Sequence, residues 1–149
     1  MPALGLDAVV EPMGWGIVVA DGKETTQWIV PENALGWQVN SAGAGGRGNL
    51  IITGRQAAGA ALLAPLALGE VKPGQEILVT DDEGVTFRYV VTEVSDPIPL
   101  VGANDDERAQ EAAYAALNGD ARLTLLTGWP DFTTTHRIFA VAEFAGLTE

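Results

Sequence analysis

Short apolar runs, rich in β-branched residues and punctuated by glycine and proline, recur along the chain. Each is four to ten residues long and reads as a strand. The first are DAVVEPM from Asp7, GIVVA from Gly16 to Ala20, and TTQWIVP ending at Pro31. NLIIT, Asn49 to Thr53, is continuously apolar, as in a strand buried on both faces. EILVT, Glu76 to Thr80, passes through the acidic turn DDEG into VTFRYVVTEV, a hairpin pattern. There Val85, Phe87, Tyr89 and Val91 share one face, and Thr86, Arg88, Val90 and Thr92 the other. RLTLLT, Arg122 to Thr127, predicts a strand that breaks at Gly128, and RIFAVAEF supplies the last strand.

Helical patterning is sparse. NDDERAQEAAYAALNG, Asn104 to Gly119, has an N-cap asparagine, three acids in its first turn and a terminating glycine. Ala109, Ala112, Ala113, Ala116 and Leu117 form its expected apolar stripe. A second, short helix is predicted around Ala57 to Leu63. Seven or eight short strands with one or two helices predict a mainly β fold, a barrel or a sandwich. With no repeat and no linker, the 149 residues are expected to form one domain, 1–149.

Composition narrows the function. Twenty acids against eight bases give a net charge of −12. That excludes the basic face nucleic-acid binding requires and gives no attraction to anionic lipid. The absence of Cys excludes disulfides, thiolate chemistry and thiolate-bound metal, and the lone His136 excludes a His-cluster zinc site. No cofactor is implied. The longest apolar run, Ala57 to Gly69, is interrupted by Pro65 and is shorter than the roughly 20 residues a spanning helix needs. MPALGLDAVV lacks the basic start and apolar core of a signal peptide.

Candidate chemistry is scarce. Thr133, Thr134 and Thr135 adjoin His136, but alternation along a strand predicts that Thr135 and His136 do not meet. The acid clusters Asp81–Glu83 and Asp105–Glu107 fit a turn and a helix start, and neither matches a calcium loop. SAGAGGRGN, Ser41 to Asn49, reads as a flexible loop without the Gly-Lys-Ser/Thr of a phosphate loop. Trp15, Trp28, Trp37 and Trp129 read first as packing residues, with a groove lining as the alternative.

Five segments in series carry a resemblance. They are PALGLDAVVEP, VPENALGWQ, GRGNLIITGRQ, LALGEVKPGQEILVTDDEGVTFRYVVTEV, and the pair RLTLLTGW with TTHRIFAVAEF. In that order they resemble the sortases, cysteine transpeptidases that anchor proteins to cell walls or assemble pili. The pattern is nearest the shorter sortases of classes D and E. The resemblance implies a closed eight-stranded sortase-like β-barrel. It also implies a Cys ending the Leu-Thr-Leu-x-Thr strand, a His after Ala-Gly, and an Arg opening the last strand. The Cys position falls on Gly128, the His position on Arg55 and the Arg position on Arg137.

Two of the three groups are therefore missing. Glycine offers no nucleophile, and a guanidinium with a pKa above about 12 moves no protons near neutral pH. In serine proteases, deleting one member of such a pair lowers kcat by on the order of 10⁶. Thr127 precedes the missing Cys, and its hydroxyl is expected on the other face. The resemblance thus implies a catalytically inactive domain with a surviving groove, whose candidate lining is Arg55, Thr127, Trp129 and Arg137. Its implied partner is an extended peptide or a surface protein, and its implied location is extracellular or at the cell surface. Two alternatives stay open: a hydrolase of different chemistry on the same barrel, and a purely structural part of a surface assembly.

Overall fold

A computed structural model describes residues 1, 5–13, 15–20, 22–28, 31, 33–38, 41, 43–46, 48–55, 61–99, 102–115, 121–129 and 135–148. Among the described residues, ten strands and two helices follow one another along the chain. The first five strands are β1 (Val10–Met13), β2 (Trp15–Ala20), β3 (Lys23–Trp28), β4 (Leu35–Gln38) and β5 (Gly48–Thr53). Helix α1 (Ala64–Ala67) precedes the hairpin β6 (Glu76–Thr80) and β7 (Thr86–Val94). Then come β8 (Ile98–Pro99), α2 (Asp105–Ala115), β9 (Ala121–Trp129) and β10 (His136–Thr148).

Eight strands form one curled sheet in the order β1-β4-β5-β9-β10-β7-β6, with β8 joined to β10, while β2 and β3 pair separately. The expected mainly β architecture is present, but the barrel is not closed. Among the described residues β1 pairs only with β4 and β6 only with β7, which leaves both as edges. Pro12 suits such an edge, because it has no N–H to offer a further strand.

The sheet has an apolar core on each face. The concave core gathers Leu50 and Ile52 of β5, Tyr89 and Val91 of β7, Leu123 and Leu125 of β9, and Ile138, Ala140 and Ala142 of β10. The other face carries Phe139, Val141 and Ile98, on which Tyr114 of α2 packs. Two-sided covering explains why NLIIT has no polar alternation: Gly48 to Ile52 are all buried. The hairpin follows its sequence pattern, with Tyr89 and Val91 inward and Phe87 packed beside them. Its acidic turn has a structural cause: Asp81 Oδ1 accepts from the N–H groups of Glu83 and Val85 at 2.9 and 3.0 Å.

Four local expectations are corrected. Strand β9 does not break at Gly128; it continues to Trp129, because Gly128 and Trp129 pair with Arg137 and His136 of β10. The short helix lies at Ala64–Ala67, where Pro65 occupies the first turn and suits a helix start; residues 57–60 lie outside the described set. On α2, Ala109, Ala112 and Ala113 are exposed, and Tyr114 is the buried anchor. One aromatic ring stacked on Phe139 at 5.0 Å replaces the expected alanine stripe; Ala116, Leu117 and Gly119 lie outside the described residues. Finally, Ser41 and Gly45, in the loop expected to be flexible, make fixed contacts. Gly45, at φ +71°, donates its N–H to the Tyr89 hydroxyl at 2.7 Å, and the Ser41 hydroxyl bridges Gln38 O and Ile51 N.

Two tyrosines make stability pH-dependent. Burial raises the pKa of Tyr89, and burial followed by its hydrogen bond to Glu93 raises that of Tyr114. Both folded pKa values lie above the unfolded value of about 10. Their contribution is therefore complete below about pH 10 and is lost as pH rises through the folded values. Thermal melts between pH 8 and 11 should show Tm falling only at the alkaline end, with a shallower fall in Tyr114→Phe. An alkaline slope that Tyr114→Phe leaves unchanged would remove this tyrosine from the account.

Candidate functional site

Three adjacent strands carry the positions singled out from the sequence. β5 and β9 run parallel, with Thr53 opposite Leu126, and Gly54 N–H extends the ladder to Leu126 O at 3.2 Å. β9 and β10 run antiparallel, with Gly128 directly opposite Arg137. Alternation puts Leu50, Ile52 and Gly54 on the concave side and Asn49, Ile51 and Thr53 on the other. Arg55 lies two residues beyond Thr53, past the end of β5. Across the sheet β9, which carries Gly128, lies between β5 and β10.

Gly54 keeps this end of β5 close to its neighbours. A Cβ there would lie 2.6 Å from Leu35 Cδ2 and 2.7 Å from Leu63 Cγ. Its carbonyl accepts the Thr127 hydroxyl at 2.7 Å. Thr127 is 2% exposed and faces the concave side with its hydroxyl engaged. The structure thus sets Gly128 opposite Arg137 and turns the Thr127 hydroxyl to the other face. Trp129 continues the ladder opposite His136; its side chain is not among those described.

Helix α2 lies on the face that carries Gly128 and Arg137. Asn104 begins it with a reciprocal cap, Oδ1 accepting from Glu107 N at 2.7 Å and Glu107 Oε1 accepting from Asn104 N at 3.1 Å. The far end is moored to the sheet. Asn49 Nδ2 donates to Tyr114 O at 2.7 Å, Arg122 Nη2 donates to Ala113 O and Tyr114 O, and the Thr124 hydroxyl donates to Asn49 Oδ1 at 2.7 Å. One turn before Tyr114, Glu111 accepts Arg137 Nη1 at 2.6 Å. The Arg137 side chain is 49% exposed, so this pair contributes only about 0–1 kcal/mol.

Glu111 was not among the sequence candidates. Its helix was legible, but nothing in its local pattern ties it to Arg137, 26 residues later. Asn49 was read only as the start of an apolar strand, although its burial at 0% exposure marks it as a fastening point.

The Thr135–His136 expectation is also corrected. Thr135 Oγ1 and His136 Nδ1 lie 2.7 Å apart. Thr135 precedes β10, so strand alternation does not govern it. His136 itself begins β10 on the side opposite Arg137. Thr133 and Thr134 lie outside the described residues. Among the described residues, no three His, Cys, Asp or Glu side chains are grouped to hold a metal ion, and no helix is long and apolar enough to cross a membrane.

Comparison with known proteins places this geometry. Residues 1–145 match the family model described as Sortase domain. Among solved structures, sortase A of Listeria monocytogenes is 26% identical with a TM-score of 0.61, the match covering 78% of this chain and 71% of that one. Sortase A from Corynebacterium diphtheriae is also 26% identical, with a TM-score of 0.62 and 78% and 50% of the two chains covered. A Clostridium perfringens sortase D5, 20% identical, has the same fold at a TM-score of 0.56, covering 77% of this chain and 64% of that one. Against the last two, the chain spans about half to two-thirds of the relative's length. No curated protein matches the sequence. Likeness to both sortase A and sortase D5 structures singles out no subclass. With the family model covering nearly its whole length, the chain belongs to the sortase family, in which it is a cysteine-free member.

Proposed function

We propose that this chain is a catalytically inactive sortase domain that binds an extended peptide or surface protein in the groove beside Gly128. The observation that carries the reading is Gly128 itself. It lies in register with Arg137, in a chain that contains no Cys and has its only His elsewhere. Thioacyl chemistry needs a thiol that attacks a carbonyl and a base that takes its proton. Neither group is present at these positions. Arg137 keeps its residue type and supplies positive charge suited to orienting a peptide. The sortase family's handling of peptide sorting signals at the cell surface supports a peptide partner and a surface location.

The test uses the purified chain and a fluorogenic peptide containing a Thr–Gly bond. The expected result is no turnover, with saturable binding by fluorescence anisotropy that Arg55→Ala and Arg137→Ala weaken. Turnover above the buffer rate would end the inactive reading.

A second reading, a hydrolase of different chemistry, has one observation in its favour, the 2.7 Å contact between the Thr135 hydroxyl and His136 Nδ1. That pair is exposed, and His136 faces away from Arg137. Hydrolysis by the wild type that disappears in both Thr135→Val and His136→Ala would favour it.

A further inference from the structure

Resting on the reading of this site as a peptide groove, we propose that its ligand presents a free carboxylate, which displaces Glu111 from Arg137 beside Gly128. The structure already shows the guanidinium occupied by a carboxylate: Glu111 Oε1 lies 2.6 Å from Arg137 Nη1. A guanidinium has five donors in a planar fork, and that contact uses one nitrogen. Arg137 remains half-exposed, so an incoming carboxylate can reach the fork.

The occupant is also dispensable to the fold. Helix α2 is moored by Asn49, by Arg122 and by the Tyr114–Phe139 stack, one turn away from Glu111. Releasing Glu111 therefore leaves the helix seated. Glu111 acts as an internal competitor, holding the site closed to weak anions.

Arg55 follows Gly54, whose N–H bonds Leu126 O, so a second arginine leaves β5 at this end of the sheet. A side chain at residue 128 would project from the face that carries Arg137, and glycine has none. This placement stands out in a chain of net charge −12 with eight basic residues. An amide-terminated chain end has no negative charge for Arg55 and Arg137 to recognise. The carboxylate could belong to a peptide end or to a small acid.

The test is an NMR titration of the full chain, following the arginine Nε–Hε signals. Three probes are compared: N-acetyl-tetra-alanine as the free acid, the same peptide as its amide, and sodium acetate. The expected result is that the free acid shifts the Arg137 and Arg55 signals at concentrations where the amide does not. Glu111→Gln should lower the dissociation constant of the acid at least threefold, and Arg137→Gln should abolish the acid–amide difference. Acetate binding as well as the peptide acid would keep the carboxylate site and assign it to small acids. Equal binding of acid and amide would overturn the carboxylate inference while leaving peptide binding intact. Silence of all three probes, or an unchanged affinity in Glu111→Gln, would also overturn it. Turnover of the Thr–Gly peptide remains the separate failure of the inactive reading.

Discussion

Gly128→Cys combined with Arg55→His is expected to give a thiol that alkylates at pH 7 about threefold faster than an ordinary cysteine. Gly128 sits within a ladder in extended conformation, so a side chain is tolerated by the backbone there. The new thiol would face Arg137 directly across the strands, and a cation at that distance favours the thiolate. An unperturbed pKa of about 8.5 leaves roughly 3% thiolate at pH 7, whereas a pKa near 7 leaves about half. The lower intrinsic nucleophilicity of a more acidic thiol trims that roughly 16-fold ratio to about threefold. Glu111 opposes the effect by neutralising Arg137, so adding Glu111→Gln should raise the rate further. The measurement is the rate of iodoacetamide alkylation against pH. A profile centred near 8.5 in both backgrounds would show that Arg137 no longer acts on residue 128.

Tyr89→Ala is expected to cost about 3–5 kcal/mol of stability, the range for removing a buried aromatic side chain. For a chain of this size that lowers Tm by on the order of 10 °C. The ring is fully buried at 0% exposure and meets Phe144 edge-on at 5.5 Å. Its hydroxyl also accepts the Gly45 N–H, which seats the loop leading into β5. Tyr89→Phe removes only that acceptor and should cost about 1–3 kcal/mol. Urea unfolding of both variants separates packing from hydrogen bonding. Equal costs would mean that the hydroxyl, rather than the ring, carries the contribution of Tyr89.

Much of the fold was legible because its signals are local. The period-two pattern of VTFRYVVTEV and the unbroken apolar run of NLIIT reflect burial on one face or on two, and each reports its own environment. Family resemblance supplied the order of the strands and located Arg55, Gly128 and Arg137. The errors came where local rules competed with tertiary pairing. Glycine at 128 read as a break, yet ladder partners on β10 kept it in the strand. Alanines on α2 read as an apolar face, yet one tyrosine stacked on Phe139 set the helix orientation.

The amino-acid sequence alone determined that this protein has no thiol and no second imidazole, and hence no sortase nucleophile–base pair, because chemistry absent from the chain cannot be created by folding. It also determined the succession of strands, through hydrophobic periodicity. Only the tertiary structure decided that Gly128 faces Arg137, that α2 lies on their side of the sheet, and that Glu111 already holds the guanidinium. Those relations join residues far apart in the chain, through strand register and helix docking. Both are set by which side chains fill the two faces of the sheet, and no local pattern records that choice.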